Sequence, residues 1–195
     1  MATKSNYKSC VNCGASCCAQ LNRTNPPVFT KDELKVVADN YGDLPEFQII
    51  NYPEDMLKRA GRMGLRLPEG NFYRPVIPDS GACPLSSAGE CRIYDHRPTD
   101  CRLFPFQVEM GKNGFALTLH YSICIGKYNK DWIEDVALAN AGEALMMAAS
   151  YGANLLIEYA LMNDMFMPSK QLEKTYFVCD IPPALINHLA PVASH

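Results

Sequence analysis

The chain has no long uninterrupted apolar run. Its most hydrophobic stretch, residues 132–167, is broken by Glu134, Asp135, Glu143, Glu158 and Asp164, so it does not supply the roughly 20 consecutive apolar residues of a membrane-spanning helix. The N-terminus carries Lys4 and Lys8 but no following hydrophobic segment of the kind a secretory signal contains. A cytoplasmic location is therefore expected. Excess charge is lacking too: a formal net charge of -3 gives no general attraction for nucleic acid. Also missing are a phosphate-binding glycine loop, a dinucleotide fingerprint, a nucleophile elbow and a zinc-protease helix, so the usual sequence routes to an enzyme are closed and enzymatic activity stays an open question. There is no internal repeat or low-complexity tract. With 195 residues, 48% hydrophobic and 20% charged, the chain can bury a core and fold.

Cysteine is what the chain has in excess. Nine occur, at positions 10, 13, 17, 18, 83, 91, 101, 124 and 179, more than packing alone requires. A disulfide framework suits small exported chains, whereas this chain is larger, shows no export segment and has an odd cysteine count. Metal binding through thiolates is the better explanation.

The N-terminal lead reads Cys10-Val11-Asn12-Cys13-Gly14-Ala15-Ser16-Cys17-Cys18. Two residues between cysteines let one tight turn aim both sulfurs at a single ion. Gly14 can enter positive φ and turn backbone amides toward sulfur, or serve as an ordinary turn glycine. Adjacent side chains rarely reach one tetrahedral ion together, so Cys17-Cys18 points to two sites or a polynuclear cluster. Alternatively, one of the pair is a ligand and the other a buried or redox-active thiol. A second cysteine station contains Cys83-Pro84-Leu85 and then Cys91-Arg92-Ile93-Tyr94-Asp95-His96-Arg97-Pro98-Thr99-Asp100-Cys101-Arg102-Leu103-Phe104-Pro105-Phe106, with Cys124 further on.

Taken together, these segments resemble the YkgJ-type cysteine-cluster family, a zinc- or iron-chelating domain whose hallmarks run CxxCGxCC and, later, CxIYxxRPxxCRxFP. The resemblance covers roughly residues 10–124, and the lead departs from it by one extra residue before the vicinal pair. It implies a metal-chelating fold that uses Cys10, Cys13, Cys17, Cys18, Cys83, Cys91, Cys101 and Cys124. Flagellin lysine methylases are similar in the cysteine motif and are associated with an iron-sulfur cluster, but this chain is short and has no obvious loop for S-adenosylmethionine.

Four thiolates around Zn²⁺ or a [4Fe-4S]²⁺ core leave excess negative charge. Arg92, Arg97 and Arg102 flank Cys91, Pro98 and Cys101 and are candidates to donate hydrogen bonds to sulfur. They could equally pair with Asp95, Asp100 or Glu109 and only hold the fold. Pro98 and Pro105 fix the chain direction around Cys101, and Phe104 and Phe106 could wall water from a metal or simply fill a core. His96 and His120 lie near cysteines but rank as structural, since better ligands are available. His188 and His195 have no companion spacing. Cys179, in an apolar strand-like run, reads as a buried thiol, and Met146, Met147, Met162, Met165 and Met167 read as core filling.

Thr30-Lys31-Asp32-Glu33 has capping-box spacing and predicts a helix over about 31–40. A short second helix follows Pro53 and ends before Gly61, and residues 71–78 are extended. Residues 81–85 and 91–94 suggest a strand pair around Ser86-Ser87-Ala88-Gly89, and residues 104–110 and 115–121 a hairpin around an Asn-Gly turn. Residues 131–166 predict two helices meeting near Gly152. The expected fold is α+β, with a small cysteine-ligated metal-binding core and short β-hairpins over 1–128, followed by a helical C-terminal extension over 129–195 packed on it. The wide Ala, Gly and Leu band of that extension could bury within the chain or against a protein partner or second copy. Three functions fit: an iron-sulfur protein, with [4Fe-4S] the first choice of cluster, in electron transfer or as accessory to a modifying enzyme; a structural zinc module for protein interaction; or a cluster-containing protein-modifying oxidoreductase or methylase.

Overall fold

The fold is described from a computed structural model, which covers residues 27–62, 72–87, 90–104, 106–111, 114–120, 130–166 and 175–185. It is α+β. By backbone packing the chain divides into two compact units, one within Met1–Tyr52 and Pro68–Arg102, the other within Pro53–Leu67 and Leu103–His195.

In the first unit, a threonine and a glutamate three residues apart start the leading helix. The Thr30 hydroxyl accepts from the Glu33 amide at 3.2 Å, while the Glu33 carboxylate accepts from the Thr30 amide at 2.9 Å. This is the predicted capping box, and α1 runs Lys31–Asn40 behind it. The helix stops where Tyr41 becomes extended, its amide closing on the Val37 carbonyl at 2.9 Å. Before α1, β1 (Phe29–Thr30) pairs antiparallel with β3 (Phe72–Pro75), and β3 pairs with β2 (Phe47–Ile49), giving the order β1-β3-β2. Phe29 and Phe47 meet edge to face at 5.2 Å on this sheet.

A two-stranded ladder follows, β4 (Ser86–Ser87) with β5 (Glu90–Cys91), in the register Ser86↔Cys91. β4 lies inside the Ser86–Gly89 run that the sequence suggests as a turn, and β5 begins directly after that run. Pro84 has no amide to offer a ladder, and the Cys83 carbonyl is already engaged by the Ser86 amide at 2.9 Å in a turn. Tyr94–His96 form a single 3₁₀ turn rather than a strand, and Pro98 leads into the short helix α3 (Thr99–Leu103).

The second unit contains α2 (Glu54–Arg62), which runs through Gly61 instead of ending before it. It also contains the hairpin β6 (Phe106–Gly111) and β7 (Gly114–His120). Gly111 faces Gly114 across the ladder, so the loop is residues 112–113, which lie outside the described residues. Gly114 has φ 126°, a conformation that favours glycine. β6 alternates, with Phe106 and Val108 buried, and starts two residues later than expected because Leu103 still belongs to α3. β8 (Thr175–Ile181) extends β7 on its other side, with an irregularity at Leu117/Thr118. Packing groups β6, β7 and β8 in the second unit, where β8 completes the β7 ladder.

Helices α4 (Lys130–Ala149) and α5 (Gly152–Phe166) part at Gly152, φ 70°, where the sequence predicts their junction. α5 packs on β6, and α4 reaches β7 and β8. Met147 and Met162 are buried with Leu156, Tyr159 and Leu161, as core methionines should be, while Met146 is exposed. Met167 lies outside the described residues, and the Met165 side chain is not described. Among the described residues no helix is long and apolar enough to cross a membrane.

Candidate metal centre

Three of the expected ligands belong to the first unit. Cys83 follows Ala82 into the turn before β4, Cys91 ends β5, and Cys101 sits at the middle of α3. Cys83 is buried in a cluster with Phe29, Val37, Leu85 and Ile93, and Cys91 packs against that cluster alongside Leu34, Tyr41 and Tyr73. The thiol of Cys101 is enclosed although the residue keeps some surface. Burial pushes this thiol well above its usual range. Asp100, Cys83 and Cys91 push it further in the same direction, and only the Arg97 charge opposes them. The sulfurs of three separated segments thus share one electrostatic neighbourhood.

That neighbourhood suits a bound cation. Enclosed thiolates that raise one another's proton affinity are costly to ionise unless a positive ion lies among them, and a metal reverses the balance by deprotonating its ligands outright. None of Cys83, Cys91, Cys101 and Cys179 is in a disulfide. Among the described residues no group of three or more His, Cys, Asp or Glu side chains is arranged to hold a metal ion, so the three cysteines constitute a shared neighbourhood rather than a finished ligand set. Cys10, Cys13, Cys17, Cys18 and Cys124 lie outside the described residues.

The arginines divide their roles. Arg97 lies over the Tyr94 ring, 3.9 Å from its centroid, and donates from Nε to the Tyr94 carbonyl at 3.1 Å; it is also the residue whose charge favours the Cys101 thiolate. Arg92 reaches the Asp43 carbonyl at 3.2 Å, bracing a residue held at φ 51°. Arg102 is exposed on α3. His96 shares a 3.0 Å hydrogen bond between Nδ1 and Tyr41 Oη, with the rings packed edge to face. Burial raises the Tyr41 phenol above its ordinary range, and Asp95 and Cys91 add to this. The side chain of His120 is not described, and His188 and His195 fall outside the described residues.

Cys179 lies on β8 opposite Leu117, half-buried, its thiol raised by burial and by Asp180. It belongs to the second unit, whereas Cys83, Cys91 and Cys101 belong to the first.

Two carboxylates take roles that the sequence did not foretell. Glu33, foreseen only as a helix cap, also accepts from the Thr99 amide at 2.6 Å, and Asp100 accepts from the Val28 amide at 3.0 Å. The capping-box spacing could locate Glu33, but no local signal joins residues 66 and 72 positions apart.

Comparison with known proteins agrees with the chemistry. The sequence model of the CxxCxxCC family, described as a "Putative zinc- or iron-chelating domain", matches residues 9–124. None of the curated proteins and no solved structure matches the chain.

Proposed function

The chain belongs to the CxxCxxCC family of metal-chelating domains, and from that membership we propose that it holds an iron-sulfur cluster through cysteine thiolates and works in electron transfer or as accessory to a modifying enzyme. The observation that supports the thiolate reading is that Cys83 and Cys91 pack at one apolar cluster and both act electrostatically on the enclosed Cys101 thiol. The proposed donors are these three with Cys10, Cys13, Cys17, Cys18 and Cys124, all within the matched span. Eight thiolates are twice what one tetrahedral ion takes, and the vicinal pair Cys17-Cys18 cannot easily serve one ion. Both facts favour a polynuclear cluster or a cluster with a second site. Arg97 is the proposed partner for the excess negative charge, because its field already favours the Cys101 thiolate.

One observation favours a second reading, a structural zinc module. Cys83 stands inside the small apolar cluster of the first unit and Cys91 against it, the position of a metal that replaces missing core. The two readings differ in colour. Protein purified anaerobically should be brown, absorb broadly near roughly 400 nm and contain iron and sulfide. Colourless protein with stoichiometric zinc would replace the cluster by the structural ion, and protein without any metal would remove both.

A further inference from the structure

α3 is too short to hold its own place. A five-residue helix has almost no stability of its own in water, yet it carries Cys101, whose thiol feels the charges of Cys83 and Cys91. Its position must come from tertiary bonds, and two half-buried carboxylates supply them. Glu33 uses both oxygens: one accepts the Thr30 amide at 2.9 Å in the capping box, and the other accepts the Thr99 amide at 2.6 Å at the start of α3. Asp100, the residue before Cys101, accepts the Val28 amide at 3.0 Å. Val28, Thr30 and Thr99 are 6%, 8% and 8% exposed, so these charge-assisted bonds are shielded from competing water.

We propose that Glu33 and Asp100 are positioning residues of the metal centre, a pair of carboxylates that clasp β1 to α3 and so register Cys101 against the other thiolates. The proposal rests on the thiolate reading above. Neither carboxylate is required to touch metal. Each acts through backbone amides, and a displacement of α3 by a fraction of an ångström is enough to spoil a tetrahedral thiolate set.

The two side chains respond differently to conservative change. Glutamine at 33 offers one acceptor oxygen and one NH₂ group, so one of two amides loses its partner. Asparagine at 100 keeps an oxygen for the Val28 amide, whereas alanine does not. Thr30→Val removes the hydroxyl that caps α1 and leaves both carboxylates in place. The test is titration of the full apo chain with Co²⁺ alone, reading the thiolate-to-cobalt and d–d bands and the affinity against a competing chelator, with far-ultraviolet circular dichroism as the fold check. Glu33→Gln and Asp100→Ala should bind Co²⁺ about 10- to 100-fold more weakly, with shifted d–d bands. Asp100→Asn should restore near-wild-type binding, and Thr30→Val should lower thermal stability without altering the bands. Wild-type affinity and spectrum in folded Glu33→Gln overturn the clasp, as does a Thr30→Val chain that loses binding to the same extent. Should Asp100→Ala not fold, the Glu33→Gln and Thr30→Val comparison decides. A wild-type chain that takes up no Co²⁺ overturns the thiolate reading, and the clasp with it.

Discussion

Glu158 is a carboxyl with no exposed surface, set in α5 among Leu156, Tyr159 and Leu161, and burial lifts its pKa from 4.5 to about 8. The sign of its effect on stability follows from linkage. Below pH 4.5 the folded and unfolded chains both carry the proton, and the group costs nothing through ionisation. Between 4.5 and about 8 the unfolded chain releases the proton while the folded chain keeps it, so stability falls as pH rises, by at most about 1.4 kcal/mol per unit. Above that range both forms are ionised and the loss levels off. At pH 7 this amounts to about 3 kcal/mol as an upper bound, and water penetration and relaxation around the carboxyl reduce it to about 2 kcal/mol. Glu158→Gln removes the ionisation while nearly conserving shape. Urea unfolding of both chains across pH 4.5 to 7, with identical metal loading, should show the variant gaining about 2 kcal/mol on wild type over that interval. Taking the difference cancels histidines and other groups common to both. A difference that stays constant with pH would refute the reasoning, whatever the absolute stabilities.

Replacing Cys83 or Cys101 by serine should reduce bound metal per chain, measured by elemental analysis, whereas Cys179→Ser should leave it nearly unchanged; full metal content in Cys101→Ser would defeat its role as ligand. Leu117, fully buried on the central strand β7, should cost about 2–5 kcal/mol when cut to alanine, read as a lower urea midpoint. Gly142, exposed in α4 with open space where a Cβ would stand, should gain about 0.5–1 kcal/mol on substitution by alanine. Gly114→Ala, at φ 126°, should instead lose about 1–3 kcal/mol in the same assay.

Local signals were legible wherever a short stretch of chain dictates its own geometry. The Thr30–Glu33 box fixed the start of α1, and the hairpin of β6 and β7 followed from two alternating runs around a turn. Gly152 divided α4 from α5 because it takes a positive φ. The same reasoning failed at residues 81–94, where proline and a tight turn moved the first strand to Ser86–Ser87 and its partner to Glu90–Cys91. It also saw Glu158 only as a charge interrupting an apolar stretch, since side-chain burial depends on packing partners far along the chain.

Cysteine number, spacing and order are properties of the sequence, and they suffice for membership of a metal-chelating family because thiolate chemistry requires those residue types at those intervals. The electrostatic coupling of Cys101 to Cys83 and Cys91, the joining of β8 to β7, and the doubled duty of Glu33 belong to the tertiary structure. Each depends on hydrogen bonds or burial between residues separated by many positions, and such pairings are chosen by the free energy of the whole folded chain rather than by the preferences of neighbouring residues.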